Sequence, residues 1–319
     1  MATNTLVDVP KFKVGHATNL DAATGCTVII CPPKTVGGVD VRGGAPGTRE
    51  TDLLAPHNHV SEVNAIVLSG GSAFGLASAQ GVVSYLEEHD MGYKSSAGYT
   101  VPIVPAAILF DLNIGDSSIR PDPQMGYLAT QNASADAVEQ GTVGAGTGAF
   151  VGKLRGASFG TKGGIGSASI EITESLWVGA IVAVNAVGDV LDEQGKIMAG
   201  VRDDNDNFVG TLNLFRSLAQ NPPQVDAHEN TVIGVIATNA KLSKAHTNKV
   251  AQMAHDGIAR AIHPAHTMGD GDTIFALASG EIDADVTLIG AYAADIMAEA
   301  IRNGIRHATS LHGVHSIHD

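Results

Sequence analysis

Aromatic and basic residues are scarce in this sequence. Phe, Trp and Tyr make up 4% of the 319 residues, so the core has to be built from Ala, Val, Ile and Leu, with glycines that let backbones approach closely. Only 19 Lys and Arg face 33 Asp and Glu, and the formal net charge of -14 would repel a phosphate backbone. We therefore expect no nucleic-acid partner. Because 44% of the residues are hydrophobic and 16% are charged, the composition is that of a globular chain.

Cysteines and long apolar runs are also scarce. Cys26 and Cys31 both lie in the apolar run TGCTVIICPP, and five residues apart on one strand they would face opposite sides, which is a poor geometry for a disulfide. We predict two buried thiols, as in a reducing cytosol. The segment MATNTLVDVPKF has no basic region followed by an apolar one, and no run reaches the length of a membrane span. The expectation is a soluble, cytoplasmic protein without a membrane partner.

Strands followed by covering helices are the main pattern along the chain. The runs CTVIICPP, VDVRGGAPGTRE, NAIVLSGG, TVIGVIATNA and GDGDTIFALASG read as strands, and FGLASAQGVVSYLEEH, KAHTNKVAQMAHDGIARAIHP and DVTLIGAYAADIMAEAIRNGIRHA read as helices. Ser243 is a good N-cap for the second of these helices. This order favours one α+β domain over residues 1–319, with two sheets sandwiched between helices, over a regular βαβ alternation.

Four segments do not follow this pattern of strands and covering helices. VPIVPAAILFDL is predicted to form an extended edge or wall, because Pro102 and Pro105 argue against a central strand or a helix interior. Residues 141–170 are dense in glycine, but their interleaved apolar residues argue against a flexible linker. DDNDNFVGTLNLFRSLAQNPPQVDAHEN has a polar loop, a short helical piece and a Pro-Pro break, which indicates an exposed connector. The His-rich tail SLHGVHSIHD is expected to be frayed.

Thr231 opens a β-branched run directly after that connector, which ends at Asn230. A threonine in such a place is ordinarily a strand former and nothing more. If the chain is cut before it, however, the freed α-amino group has a pKa of about 8 and can act as the base for its own side-chain hydroxyl. One residue would then supply both nucleophile and base.

Asp270 and Asp272 lie on a Gly-flanked turn that enters a strand, in HTMGDGDTIF. The ordinary interpretation is a solvated Asp-Gly turn. Alternation along a strand would instead point both carboxylates the same way, to orient the Thr231 hydroxyl and to hold its ammonium or a substrate amine. Together with His266 the spacing also resembles a metal site, but no second His lies at helical spacing nearby, so we expect neither a metal nor a cofactor.

Two further polar residues occur where apolar ones would be ordinary. Asn185 is predicted at the end of a buried strand, where its amide is either a satisfied turn group or a donor to an oxyanion. Lys153, in FVGKLRG, follows a long stretch without basic residues. It is either a snorkelling surface residue or a cation that stabilises developing negative charge. SGGSAFG around Ser72 lacks the spacing of a nucleophile elbow, and DDNDN lacks the glycine and glutamate of a calcium loop, so both are discounted.

Four separated motifs follow one another in the order GAGTGAFVGK at 144–153, VNAVG at 184–188, NTVIGVIATNAKL at 230–242 and HTMGDGDTIF at 266–275. Together they resemble the self-processing peptidase family that includes the L-aminopeptidase/D-esterase DmpA, the β-peptidyl aminopeptidases and the nylon-oligomer hydrolase NylC, and the likeness runs over nearly the whole chain. The resemblance implies a four-layer αββα sandwich of the N-terminal-nucleophile type. It also implies cleavage into an α chain of 1–230 and a β chain of 231–319, and assembly as a homotetramer or larger.

The same resemblance assigns roles to individual residues. Thr231 would be the nucleophile, Asn185 the oxyanion-type asparagine, Lys153 the lysine of the nylon-hydrolase branch, and Asp270 and Asp272 the acidic pair that polarises the nucleophile. The aminopeptidase branch uses serine as its nucleophile, so this catalytic core looks closer to the nylon-hydrolase branch.

The substrate pocket departs from the family pattern at one position. Phe110 stands where these enzymes can carry a tyrosine, and this removes a hydroxyl from the pocket. The substrate preference of the family members therefore does not transfer directly to this chain.

The function expected from these observations is that of an autoprocessing N-terminal-threonine amidohydrolase or aminopeptidase. It would cleave short peptides or small amides by acyl transfer to Thr231. Two alternatives stay open: a metal-dependent amidohydrolase using His266, Asp270 and Asp272, and a non-catalytic homologue that is never processed.

Overall fold

The computed structural model describes residues 2–220 and 230–319. In this part of the chain the strands are β1 (Lys13–Asn19), β2 (Thr24–Ile30), β3 (Val36–Val41), β4 (Thr48–Arg49), β5 (Ala65–Ser69), β6 (Tyr93–Lys94), β7 (Thr100–Val101), β8 (Ala106–Ile108), β9 (Phe150–Val151), β10 (Thr161–Lys162), β11 (Ile165–Thr173), β12 (Leu176–Asn185), β13 (Asp189–Leu191), β14 (Ile197–Ala199), β15 (Thr231–Lys241), β16 (Ile262–His263) and β17 (Thr273–Asp283). The α-helices are α1 (Ser78–Glu88), α2 (Pro123–Gln131), α3 (Thr211–Gln220), α4 (Lys244–Ala261) and α5 (Val286–Arg306).

Two five-stranded sheets form the centre of the molecule. The first has the order β1-β2-β5-β8-β4 and the second β11-β12-β15-β17-β3. Neighbouring strands are antiparallel except for β5 with β8 and β15 with β17, which are parallel. Strand β3 comes early in the chain but pairs with β17 at the edge of the second sheet. The two halves of the sequence are therefore interleaved in one sheet.

Apolar side chains divide the structure into four layers. One buried cluster lies between the two sheets and includes Ile66 of β5, Ile181 of β12 and Val235 of β15. A second joins the first sheet to α1 and α2, and a third joins the outer face of the second sheet to α4 and α5. The order helices, sheet, sheet, helices confirms the predicted αββα sandwich.

The main strand and helix predictions from the sequence are confirmed. Ser243 caps α4 by accepting a hydrogen bond from the His246 N–H at 3.2 Å, which satisfies one of the donors left free at a helix start. The glycine-dense stretch forms β9, β10 and the beginning of β11, and much of it is buried. The helical piece predicted in the connector is α3, while the Pro-Pro break at 222–223 lies outside the described residues.

The two cysteines also agree with prediction. Both are buried and carry free thiols. Cys26 packs in the cluster under α1 and α2, whereas Cys31, just beyond the end of β2, packs between the sheets. They therefore lie on opposite sides of the first sheet, and burial raises the pKa of both thiols.

Two expectations about local structure were wrong. The segment with Pro102 and Pro105 was expected as an extended edge or wall, and the edge alternative is wrong because β8 lies between β5 and β4, with the prolines before the strand. The C-terminal tail was expected to be frayed, but Val314 is fully buried and the Lys162 N–H donates to the His315 carbonyl at 2.7 Å. An apolar side chain and a backbone hydrogen bond thus hold the tail to the body.

Candidate active site

Thr231 is the first residue of β15, and the backbone N–H and carbonyl of the residue before it, Asn230, are both hydrogen-bonded. The Asn230 N–H donates to the Gly269 carbonyl at 3.0 Å, and the Asn230 carbonyl accepts from the Gly271 N–H at 2.9 Å. The Thr231 hydroxyl also donates to the Asn230 carbonyl. In the continuous chain, the predicted nucleophile thus touches the carbonyl group of the bond that it is predicted to break.

Asp272 links the second residue of β15 to the turn before β17. Its Oδ1 accepts from the Val232 N–H at 2.8 Å, and its Oδ2 accepts from the His266 N–H at 3.1 Å and from His266 Nδ1 at 2.7 Å. The Asp272 side chain is almost wholly buried. Because it binds the residue directly after Thr231, Asp272 supports the start of β15.

Asp270 lies in the same turn and is also buried. Its Oδ2 accepts from the Thr267 N–H at 2.6 Å. Burial, and after it the negative charge of Asp272, raise the pKa of Asp270 to about 6. The structure therefore brings the predicted acidic pair together beside β15, as a buried pair and not as a solvated turn.

Asn185 lies directly across the sheet from Thr231 in the β12–β15 register. Its Nδ2 donates to the Phe110 carbonyl at 2.9 Å and its Oδ1 accepts from the Phe150 N–H at 3.2 Å. The side chain is fully buried. The side-chain amide nitrogen of Asn185 carries two hydrogens. One is donated to the Phe110 carbonyl, which leaves one for an oxyanion.

Lys153 begins a short 3-10 turn and is 1% exposed, so it is not a snorkelling surface residue. Its Nζ lies 4.7 Å from the centre of the Phe150 ring, at a cation–π distance. Burial raises the pKa of the neighbouring Asp111, and the positive charge of Lys153 offsets part of that rise. Lys153 is therefore a buried cation close to the strand that contacts Asn185.

Two further buried charged residues, Asp111 and Lys162, were not predicted from the sequence. Asp111 accepts from the Gly71 N–H and the Thr24 hydroxyl, both at 2.7 Å, and burial raises its pKa. Lys162 donates to three backbone carbonyls, and burial lowers its pKa to about 7. The signal in the sequence was a single charged residue inside each of the apolar runs AAILFDL and FGTKGGIG.

A cavity of about 140 Å³ opens beside Thr231. It is lined by Ala45, Pro46, Gly47, Ser72, Ala73, Ile108, Phe110, Asn230, Thr231 and Gly269. Phe110 therefore lines the cavity beside Thr231, whereas Asn185, Lys153 and the two aspartates are not among its lining residues. Ser72, which the sequence analysis had discounted, is part of that wall.

Ser72 reaches the cavity because of the backbone before α1. Gly71 and Ser72 have φ angles of +82° and +53°, and the Ser72 N–H donates to the Leu109 carbonyl at 3.0 Å. A left-handed conformation at a non-glycine residue is uncommon. The bond from the Gly71 N–H to Asp111 holds this turn against the first sheet.

Two larger clefts lie elsewhere. Cavities of about 470 and 350 Å³ share Cys31 and Pro33, which follow the carboxyl end of β2. Because β2 and β5 are antiparallel, these clefts lie at the opposite end of the first sheet from Ser72. The cavity of about 140 Å³ is smaller than both clefts, but it is the one lined by the candidate nucleophile Thr231.

Within residues 2–220 and 230–319 no group of three or more His, Cys, Asp or Glu side chains is arranged to hold a metal ion. His266 is bonded through Nδ1 to Asp272, and its buried Nε2 has no hydrogen-bond partner. Nor does the described part of the chain contain a helix with the length and hydropathy of a membrane span.

The family model for peptidase family S58 matches residues 4–318. The chain belongs to this peptidase family. Over 98% of its length it is 43% identical to an uncharacterized aminopeptidase of Mycobacterium leprae, of which it covers 92%. It is also 30% identical to the 6-aminohexanoate-oligomer endohydrolase of Kocuria sp., over 92% of this chain and 84% of that protein. The S58 chain is therefore a hydrolase of amide or peptide bonds, and the resemblance drawn from its motifs is confirmed.

Solved structures agree on the fold. A Burkholderia sp. β-aminopeptidase superposes with a TM-score of 0.72 at 21% identity, covering 98% of this chain and 89% of that one. The L-aminopeptidase D-Ala-esterase/amidase of Ochrobactrum anthropi, described as a variant of the Ntn hydrolase fold, gives 0.72 at 20% identity over 96% and 86%. The S58 chain accordingly has the N-terminal-nucleophile type of architecture.

Proposed function

We propose that this S58 hydrolase cuts itself between Asn230 and Thr231 and then uses Thr231 as an N-terminal nucleophile on short peptides or small amides. The observation that carries the proposal is the double contact on the Asn230 carbonyl, from the Thr231 hydroxyl and from the Gly271 N–H. A hydroxyl beside a carbonyl already polarised by a backbone donor is the starting arrangement for acyl transfer.

Maturation begins with attack of Thr231 Oγ on the Asn230 carbonyl carbon. The C–N bond between the two residues breaks, the hydroxyl proton passes to the Thr231 nitrogen, and Asn230 becomes an ester on Oγ. Water then hydrolyses the ester, which gives a carboxylate at Asn230 and restores the hydroxyl. The Gly271 N–H is the first donor to the oxyanion, and the remaining hydrogen on Asn185 Nδ2 is the second.

Turnover repeats the same acyl transfer with an outside amide. The freed α-amine takes the hydroxyl proton and passes it to the leaving amine. Asp272 holds the start of β15 through Val232, and Asp270 lies beside it to favour the ammonium form of the α-amine. Lys153 adds positive charge behind Phe150.

Several broader features belong to this proposal. The chain would act as one domain that matures into an α chain of 1–230 and a β chain of 231–319. We further propose a cytoplasmic homotetramer or larger assembly, without a cofactor. The aminopeptidase name of one relative supports substrates with a free amino end, and the oligomer-endohydrolase name of another supports amide substrates.

The decisive experiment is the intact mass of the purified protein under denaturing conditions. We expect two masses, for 1–230 and 231–319, together with hydrolysis of L-alanyl p-nitroanilide. Thr231→Ala should give one full-length mass and no hydrolysis. The matched control Thr231→Ser keeps a hydroxyl and should still split.

Other outcomes would favour the alternatives. Splitting of Thr231→Ala at the same bond would overturn self-cleavage by the threonine. An uncut wild-type chain that loses its activity with a chelator would favour a metal-dependent amidohydrolase. An uncut and inactive chain would favour a non-catalytic homologue.

A further inference from the structure

Asn230 is bound to the turn before β17 as a substrate residue would be. It forms a parallel bridge with Asp270, its N–H donates to the Gly269 carbonyl at 3.0 Å, and its carbonyl accepts from the Gly271 N–H at 2.9 Å. The donor and the acceptor that Asn230 presents are thus both engaged by one short segment, Gly269–Gly271.

The ester formed during maturation is chemically an acyl-enzyme whose acyl group ends in Asn230. Oγ of Thr231 is bonded to the Asn230 carbonyl carbon, and the C–N bond has been exchanged for a C–O bond. In turnover the same Oγ must reach the carbonyl carbon of the next acyl group. That carbonyl must therefore occupy the place that the Asn230 carbonyl occupies, within reach of the Gly271 N–H.

We infer that the Gly269 carbonyl and the Gly271 N–H form the acyl-binding site of the mature enzyme and select α-aminoacyl groups over β-aminoacyl and longer ω-aminoacyl groups. This inference rests on the proposed function. The substrate's α-ammonium takes the place of the Asn230 N–H and donates to Gly269, while its carbonyl accepts from Gly271.

The selection follows from spacing. In an α-aminoacyl group one carbon separates the nitrogen from the carbonyl, as it does in Asn230. Each additional methylene moves the amine about 1.3 Å further along an extended chain. The Asn230 nitrogen lies 3.0 Å from the Gly269 carbonyl oxygen. An amine displaced by that amount can keep this hydrogen bond only if the substrate carbonyl gives up its bond to the Gly271 N–H.

The cavity limits the side chain of the same acyl group. It has a volume of about 140 Å³, and none of its lining residues carries a charged side chain. Ile108 and Phe110 close one wall, and burial of a charged side chain against them would be costly. Small neutral acyl residues, such as alanyl and asparaginyl, fit this space.

A substrate series tests the inference without altering the protein. The mature enzyme is assayed with the p-nitroanilides of L-alanine, β-alanine, 6-aminohexanoic acid and propionic acid, the last of which lacks the amine. Because a shifted or missing amine leaves the Gly269 carbonyl without its donor, we expect kcat/KM for L-alanyl to exceed each of the others by at least about tenfold. A value for β-alanyl or 6-aminohexanoyl equal to or above that of L-alanyl would overturn the inference.

The side-chain limit has its own comparison. L-asparaginyl p-nitroanilide should be cleaved within about tenfold of L-alanyl, and L-lysyl and L-glutamyl at least about tenfold more slowly than both. Equal rates for the charged and the neutral compounds would contradict the inferred place of the side chain.

The failure of this inference and of the proposed function give different results. If the denaturing mass shows fragments 1–230 and 231–319 but β-alanyl is preferred, the acyl-binding site is wrong and the nucleophile stands. If the wild-type chain stays whole, the proposed function fails and this inference fails with it. Thr231→Ala, expected to be inactive on every substrate, corrects for contaminating peptidases.

Discussion

Asp270 is a carboxyl of the candidate site whose environment differs strongly from that of an exposed carboxyl. Its folded pKa of about 6 lies above the value of about 4 in an unfolded chain. Between about pH 4 and pH 6, Asp270 therefore carries a proton in the native state but not in the unfolded state. The contribution of this proton to stability is complete below about pH 4 and is lost as the pH rises through about 6.

Asp270→Asn should remove this pH dependence while keeping an acceptor for the Thr267 N–H. Both proteins carry Thr231→Ala, which keeps the chain whole. When the pH rises from about 4.5 to 7.5, the protein with Asp270 should lose about 2 kcal/mol more unfolding free energy than the Asp270→Asn variant. Urea unfolding at both pH values measures the difference. Substitution of the exposed Asp256 by Asn is the matched control, and parallel pH dependences with and without Asp270→Asn would contradict the argument.

The sequence indicated most residues of the candidate site but not their surroundings. Thr231, Asn185 and Phe110 could be found because each is a distinctive residue at a predictable strand end or within a motif. The partners Gly269 and Gly271 could not, since a backbone N–H or carbonyl leaves no signal in the residue type. Asp111 and Lys162 were missed for a related reason. The sequence shows a single charged residue in an apolar run but not the groups that will contact it, because these come from distant segments of the fold.

At the scale of elements, the packing of α5 on β11 depends on a close backbone approach at Gly166. A Cβ there would lie 1.8 Å from the Ala300 carbonyl oxygen and 2.3 Å from the Gly304 nitrogen, both in the backbone of α5. Neither atom can turn away as a flexible side chain would. Any side chain at position 166 therefore requires α5 to move off the sheet.

Gly166→Ala should accordingly destabilise the uncut Thr231→Ala chain by about 2–3 kcal/mol, measured by urea unfolding. Gly280→Asn serves as the control, because Gly280 has a φ angle of +83° with no neighbouring atoms in the way, and Asn tolerates that conformation. The control should cost less than about 1 kcal/mol. Equal stability of Gly166→Ala and the parent chain would show that the helix adjusts freely.

Periodicity predicted the elements with a strong pattern of their own. TVIGVIATNA and the two helices after Ser243 follow directly from alternation, helical spacing and the cap. Position within a sheet was harder to predict because it depends on pairing between distant segments. Thus β8 was expected at an edge and lies inside the sheet, and β1 was not predicted as a strand.

At the scale of the whole molecule, the proposed cut falls inside the second sheet. The fragment 231–319 supplies β15 and β17, and the fragment 1–230 supplies β11 and β12 on one side and β3 on the other. The hydrogen bonds of β12 to β15 and of β17 to β3 therefore join the two fragments. Sequence order alone could not predict this interleaving, because β3 returns to the sheet from near the start of the chain.

The cut protein should stay together under native conditions. On size-exclusion chromatography we expect both fragments in one peak, at the elution volume of the uncut Thr231→Ala protein, and two masses only after denaturation. Elution of 231–319 by itself in native buffer would contradict this. The physical reason is that separation would expose the apolar faces of β15 and β17 together with their unpaired backbone groups.

The interleaved second sheet also changes how the molecule can recover after unfolding. The uncut chain can refold by an intramolecular process whose rate does not depend on concentration, since all five strands belong to one polymer. Once the bond before Thr231 is broken, β15 and β17 belong to one molecule and the other three strands of the sheet to another, and renaturation requires an encounter between them. Maturation would thus make folding a one-time event: the enzyme's working life would be set by how slowly the cut form unfolds.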